Sequence, residues 1–452
     1  MTKTRKTQLL VVLAMIFALA FVFGALSQVT FAHAAEVSAT ADYSSYFAGG
    51  SGTSTDPYLI SNATQLNNIR YTAKSYLEGD VIEECFKLTN NISLSGTWTP
   101  IPADFDGVLD GAGYYIEHLK IALSEDYSHF GLFAYVYHGT VKNLKFTDVT
   151  ITSPIPVSYP FVGVIAGSNE GTITNCIVYN GKINVDITYS WVGGIVGLNS
   201  AAGTISNCEN AATISAGQNT GGIAGSNSKH ATISYCTNSG TLNGPGNVGG
   251  IARINDDYAT ISHCTNGGTL NGPGNVGGIA GINGNYAAIS NCNNDGLVNG
   301  PGNVGGIAGS NKNYATITDC DNRHEIYGTG NVAGIAGLNT DYAGVITCNN
   351  RAQITYYFDT SSGCAAGIVG KNEGSAEVFR CTNHSDIVYG SPEDKNNKNI
   401  QPCMAQIVGW KVGGNVSDAA TYCQGKVYFD NLKNPLFGTN QHKYCSNGAI
   451  GR

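Results

Sequence analysis

Asn247-Val248-Gly249-Gly250-Ile251-Ala252 opens a stretch that runs on through Thr260-Ile261-Ser262-His263-Cys264-Thr265-Asn266 to Leu270-Asn271-Gly272-Pro273-Gly274. The pattern then restarts at Asn275, Asn303 and Asn331, 28 residues apart each time. The cysteines keep the same beat. Cys208, Cys236, Cys264, Cys292, Cys320 and Cys348 are spaced by 28, with Cys176 lying 32 before them and Cys381 33 after. Self-similarity at a fixed period of roughly 20–50 residues marks a stacked repeat architecture. Eight units fit between about Phe161 and Tyr389, and the outer ones carry short insertions.

Three apolar columns run through the units. Ile195, Ile223, Ile251, Ile279 and Ile307 lie in the first. Ile205, Ile233, Ile261, Ile289 and Ile317, each three before a cysteine, lie in the second, and Ile214, Leu242, Leu270, Val298 and Ile326 in the third. Each is a short β-prone stretch set off by Gly, Asn, Pro or Asp. Helix pairs of similar period are excluded because Gly-Gly and Asn-Gly would break them. A propeller blade needs four strands and a longer period. The reading is all-β: a parallel β-helix with three short strands per coil of about 28 residues. It predicts about ten to twelve coils stacked at about 4.8 Å.

Composition agrees. The chain has 452 residues with 59 Gly and 46 Asn, and 12% of its residues are charged. Gly and Asn favour turns and left-handed backbone, while 42% hydrophobic content argues against disorder. The net charge of −8 argues against a nucleic-acid partner. Columns of asparagine two after the cysteine (Asn210, Asn238, Asn266), after the first strand (Asn227, Asn255, Asn283) and before it (Asn247, Asn275, Asn303) are expected to supply left-handed bends and amide ladders.

The flanks differ from the repeats. Lys3, Arg5 and Lys6 precede an apolar run from Leu9 to Leu26, and Ala32-His33-Ala34 follows. Residues 1–34 therefore read as a signal peptide, and the mature chain as secreted, with no membrane span after cleavage. Residues 35–85 form an N-terminal segment whose stretch from Ser61 to Leu77 reads as an amphipathic helix covering the open end of the solenoid. Its apolar face is Leu66, Ile69, Ala73 and Leu77; Ser61 or Asn62 would cap it and Gly79 stop it. Residues 86–160 read as irregular first coils, 161–390 as regular coils, and 391–452 as a loop, a last coil and a C-terminal cap.

Gly-Gly-Ile-Ala-Gly at 221–225, 277–281 and 305–309, followed by Thr-Ile-Ser or a close variant and a cysteine, resembles the GLUG-motif repeat of bacterial surface proteins. Gly50-Ser51-Gly52-Thr53, Asp56-Pro57-Tyr58-Leu59-Ile60, Trp98-Thr99-Pro100-Ile101 and Phe105-Asp106-Gly107 resemble the segments that open such regions. The resemblance spans roughly residues 47–390. It implies a pectate-lyase-like, right-handed β-helix and an adhesin-like role. Such repeats also occur in an IgA-cleaving metallopeptidase, whose His-Glu-x-x-His motif this sequence lacks.

The candidate chemistry is sparse. Cys176, Cys208, Cys236, Cys264, Cys292, Cys320, Cys348 and Cys381 form a column whose members would sit about 4.8 Å apart with parallel side chains, whereas a disulfide wants Cβ atoms near 3.8 Å. Buried free thiols are expected there, while Cys403, Cys423 and Cys445, outside the column, are better placed for a bridge. The oxidation state of Cys85 is left open. Metal binding by the column is not expected, because no four ligands converge, and no cofactor is indicated. A glycosidase needs facing carboxylates, but the acids of the regular units are scattered over different columns. Arg253, standing where most units have Gly, and its neighbours Asp256 and Asp257 are the first place to look for catalysis.

Tyr258, Tyr286, Tyr314 and Tyr342 recur every 28 residues as an aromatic column. It suits either a sugar face or ring-on-ring packing at a bend. Pairs such as Thr204/Ser206, Thr232/Ser234 and Thr260/Ser262 should point outward, a weak likeness to ice-binding solenoids. The resulting expectation is a secreted, monomeric, non-catalytic scaffold for adhesion, binding a glycan or a host surface protein. A carbohydrate-active enzyme is the alternative and ice binding a distant third.

Overall fold

In the computed structural model the described residues are 42–76, 79–357 and 363–389, followed by strand segments as far as Pro435. The body from Ser44 onward is a parallel β-solenoid. Parallel pairing begins at Tyr58–Ile60, which pairs with Cys85–Leu88, and continues to a last coil in which Val427–Phe429 pairs with Ile387–Tyr389. One ladder has 10 strands and two have 12, in line with the expected number of coils.

The coil from Asn247 shows how the repeat folds. Its strands are Asn247–Gly249, Ala252–Asn255, Thr260–Ser262, Thr265–Asn266 and Leu270–Asn271. Register to the next coil is a uniform 28: Val248 faces Val276, Ile261 faces Ile289, Asn266 faces Asn294 and Leu270 faces Val298. The second and third apolar columns lie within strands. The first lies at a corner, where Ile251 sits between two strands and still points inward, fully buried. Burying one such side chain contributes about 1.5–3 kcal/mol, and no coil could bury its set alone.

That corner is tight because two backbones meet there. A Cβ on Gly250 would lie 2.0 Å from the carbonyl oxygen of Gly278 and 2.6 Å from the Asn266 side chain. The same clash recurs at Gly222, Gly278 and Gly306. Glycine is demanded there by the neighbouring coil, not by a left-handed φ.

Two asparagine columns are fully buried and hydrogen-bonded from coil to coil. The Asn227 amide donates to Asn255 at 2.8 Å and Asn255 to Asn283 at 2.9 Å. Asn238 donates to Asn266 and Asn266 to Asn294, both at 2.9 Å. The amides also donate to carbonyls of their own bends, so these interior side chains are bonded both along the axis and to the backbone. The expected left-handed conformation falls elsewhere. Positive φ belongs to the residue before the cysteine (Asn207, Tyr235, His263, Asn291, Asp319, Thr347) and to the bends holding the tyrosine column. The ladder asparagines are inside the coils, where their amides bond along the axis; the left-handed bends are on the surface.

The N-terminal helix is shorter than its pattern suggests. α1 spans Ala63–Asn68 and passes into a 3-10 turn, Ile69–Thr72. Asn62 is its cap, accepting from the Gln65 N–H at 3.0 Å, and the Gln65 side chain accepts from the Ser61 N–H at 2.7 Å. The helix stops early because Thr72 Oγ1 takes the Ile69 carbonyl at 2.9 Å, and Lys74–Tyr76 then pairs antiparallel with Gly79–Ile82. Leu66 and Ile69 are fully buried. Arg70 donates to the Thr99 carbonyl at 2.9 Å and lies over the Trp98 ring, tying this turn to the start of the solenoid. Among the described residues no helix is long and apolar enough to cross a membrane. The expected signal peptide at 1–34, the loop after Tyr389 and Cys445 lie outside the described residues.

Candidate functional surfaces

The tyrosine column is real and exposed. Ring centroids of Tyr258, Tyr286, Tyr314 and Tyr342 follow one another at 4.9 Å, with interplanar angles of 3–4°. His230 continues the stack beneath Tyr258 at 5.2 Å. Each tyrosine sits in a two-residue left-handed bend with φ of 62–63°, an uncommon conformation for a bulky residue. Stacking covers both faces of Tyr258, Tyr286 and Tyr314. What these rings present is a row of edges and hydroxyls, one per coil. Tyr342, 58% exposed, ends the row.

A second aromatic group spans the junction of the irregular and regular coils. His129, Phe161 and Trp191 occupy one register column and stack at 4.9 Å. Tyr159 and Tyr189 lie beside it, 5.6 Å apart and both more than half exposed. In later coils Asn219 and Asn247 carry this register on. The spacing Tyr159/Tyr189, close to one coil length, was the available signal, hidden because it falls at the junction and departs from the period of 28. Burial pushes the His129 imidazole down to about 4, and Tyr135 Oη lies 2.8 Å from its Nδ1.

Arg253 is half-buried on Ala252–Asn255 and takes part in none of the described ion pairs. Its Nε and the Oδ1 of Asp256 are buried without a hydrogen-bond partner. Burial lowers the arginine's pKa and raises that of Asp256. Asp257 occupies the left-handed bend just before Tyr258. A different acidic group, Asp104, Asp106 and Glu170, gathers where the irregular coils meet the first regular one. Burial first, and then the charges of Asp106 and Glu170, hold the Asp104 carboxyl above the ordinary range. Asp106 faces His138, with Oδ2 at 3.5 Å from Nδ1. Asp104 and Asp106 escape a search confined to the regular units.

The eight cysteines of the column are buried, stacked and not joined in disulfides, and Cys364, outside the column, is buried as well. Cys264 Sγ lies 3.2 Å from the Ser262 carbonyl oxygen, and the Cys236 N–H donates to Cys264 Sγ at 3.4 Å. Burial raises the thiol pKa at Cys176, Cys236, Cys264, Cys320 and Cys381. Cys403 stands in register with Cys364, and Cys423 with Asn383, on separate ladders. Among the described residues no His, Cys, Asp or Glu cluster could hold a metal. The outward Thr/Ser pairs are half-buried, and some hydroxyls bond one another along the ladder, as Thr260 does to Thr232 at 3.2 Å.

No family model matches the chain. It is 30% identical over 200 residues to a Gly-rich membrane protein of Evansella cellulosilytica, the match covering 36% of this chain. Over 176 residues it is 31% identical to halomucin of Haloquadratum walsbyi, again covering 36% of this chain. The matches span 22% and 2% of those relatives' own lengths. A crystal structure from Bacteroides ovatus, described as an immunoglobulin A1 protease, is similar over 82% of this chain and 87% of that one, at 19% identity and a TM-score of 0.34. What the chain is similar to is thus two long proteins, one named for a membrane and one as a mucin, each matched over a fraction of its length.

Proposed function

We propose that this is a secreted, monomeric, non-catalytic scaffold of the GLUG-repeat, pectate-lyase-like type, displayed at a cell surface to bind a glycan or a host surface protein. The observation that carries the reading is the exposed aromatic column, repeated once per coil on a stiff backbone. Four bulky residues in succession occupy left-handed bends that each cost on the order of 1–3 kcal/mol. Stacking between neighbours, about 0.5–1.5 kcal/mol per pair, offsets part of that cost. The same bend is left-handed at Ala201-Ala202 and Lys229-His230, so the coil sets the conformation and the tyrosines use it to reach solvent. Similarity to proteins named for a membrane and a mucin supports a surface location.

Covered ring faces shift the expected contact. A sugar stacking on a ring would use Tyr342 at the end of the row, or Tyr159 and Tyr189, not Tyr286. With a glycan array and titration of a bound glycan, Tyr342→Ala should weaken binding by about five- to tenfold, the worth of one stacking contact. Tyr286→Ala should weaken it less, and neither change should alter the circular dichroism spectrum. Equal losses at both positions would instead indicate recognition of the hydroxyl row. No binding to any glycan or host surface protein would overturn the scaffold reading.

A second reading, a carbohydrate-active enzyme, is favoured by Asp104, whose raised pKa suits a general acid beside the carboxylates of Asp106 and Glu170. Release of reducing or unsaturated sugar, abolished by Asp104→Asn, would establish it.

A further inference from the structure

A groove of about 730 Å³ runs across seven coils, from Asp186 to Tyr357, on a bend that alternates along the sequence with the tyrosine row. At one coil per about 4.8 Å it extends roughly 29 Å. Three successive coils line it with one tetrapeptide, Asn-Gly-Pro-Gly, at 243–246, 271–274 and 299–302. It is an open groove, and the packing requires glycine along it. A Cβ on Gly272 would lie 2.7 Å from a Val248 methyl, and one on Gly300 2.2 Å from the Gly272 carbonyl oxygen. The prolines fix the wall, since a pyrrolidine ring has little freedom to lose on binding.

We infer that this groove binds one chain of a neutral, hydroxyl-rich polysaccharide lying along the coil axis. The inference rests on the binding-scaffold reading and places an occupant on a different surface. Asn271 donates to Asn243 at 2.9 Å and Asn299 to Asn271 at 3.3 Å. Each amide so uses one of its two hydrogens and keeps donor and acceptor capacity for a ligand. The three coils offer the same amide at the same spacing, and extended pyranose chains advance by a similar step per ring. An extended peptide advances 3.2–3.4 Å per residue, about three residues for every two coils, and so meets only every second amide in phase. Among the described residues no basic side chain lines the groove and Asp186 is its one carboxylate, so neither a polyanion nor a nucleic acid is matched. At the far end Tyr357, stacked on Tyr327 at 6.3 Å, offers an aromatic surface to a terminal sugar.

The test is calorimetric titration of the full chain with neutral oligosaccharides of two to eight rings, taken from cellulose, xylan and β-1,3-glucan. For at least one series, affinity should rise with length and level off near six rings. Asn271→Ala with Asn299→Ala should weaken binding at least tenfold with an unchanged thermal melt. Asn299→Arg, at an exposed position, should block the groove by bulk and serves as the check if the double variant folds poorly. Tyr342→Ala should leave this binding intact. Glycan binding lost in Tyr342→Ala but kept in the groove variants would overturn the groove and leave the scaffold reading standing. No binding of any glycan would remove the support of both. Binding of extended peptides with the same sensitivity to the groove variants would overturn the polysaccharide.

Discussion

At the scale of single residues the solenoid is governed by two surface columns in left-handed conformation. The one before the cysteines holds Asn175, Asn207 and Asn291 at φ of 52–54°, but also Thr347 at 51°. Asparagine visits this region readily, whereas a β-branched residue there is an outlier. Thr347 persists because its Oγ1 donates to the Asp319 carboxylate at 2.5 Å, a bond that an asparagine amide can replace. Thr347→Asn should therefore stabilise the protein by about 1 kcal/mol, while Thr347→Val, which loses the bond and keeps the strain, should destabilise it by a similar amount. Thermal unfolding of the two variants checks the sign. This column was not legible from the asparagines alone. More of them are spent inside the coils, where the amide is needed for its two-sided hydrogen bonding rather than its φ, and composition does not separate the two uses.

At the scale of the ladder, 28-residue register makes every interior position a column, and the cysteine column is where this has a chemical consequence. Neighbouring thiols stand one coil apart with parallel side-chain vectors, a poor geometry for a disulfide. Each Sγ lies close to a backbone carbonyl, as Cys208 does to that of Ser206 at 3.2 Å. Burial holds most of the column in the neutral form that does not react. Native protein should accordingly resist alkylation over hours. Protein denatured without reductant should expose at least eight reactive thiols, and a count of at most one would mean that the ladder is oxidised. The period and the apolar columns were readable because stacking copies each inward residue into the next coil. The end of α1 was not. Its apolar spacing continues through Ala73, but the hairpin of Lys74–Tyr76 with Gly79–Ile82 and the Thr72 hydroxyl outbid the helix. The groove was equally hidden, since Asn-Gly-Pro-Gly reads locally as a turn and becomes a surface only when three copies stand in register.

At the scale of the whole molecule, a solenoid is close to a one-dimensional array in which each coil contacts its neighbours. Register fixes what such an array tolerates. Deleting residues 275–302 joins Gly274 to Asn303 and recreates the local Gly-Asn-Val-Gly-Gly sequence. Every column loses one member, and none is interrupted: Cys264 would face Cys320, Asn266 would face Asn322 and Tyr258 would face Tyr314. This variant should fold with an unchanged β spectrum per residue and be shorter by about 4.8 Å in small-angle scattering. Deleting residues 275–288 instead joins Gly274 to Ile289, half a coil out of phase. Inward positions would then meet outward ones, and the coils beyond the joint could not bury their apolar sets. That protein should aggregate or melt far below the parent. If both deletions behave alike, the columns do not set the packing and the repeat is a sequence regularity without structural force. The one-coil deletion also removes one Asn-Gly-Pro set from the groove. A polysaccharide bound along the axis should then reach its affinity plateau about one ring earlier, whereas a ligand held by Tyr159 and Tyr189, upstream of the deletion, should bind as before.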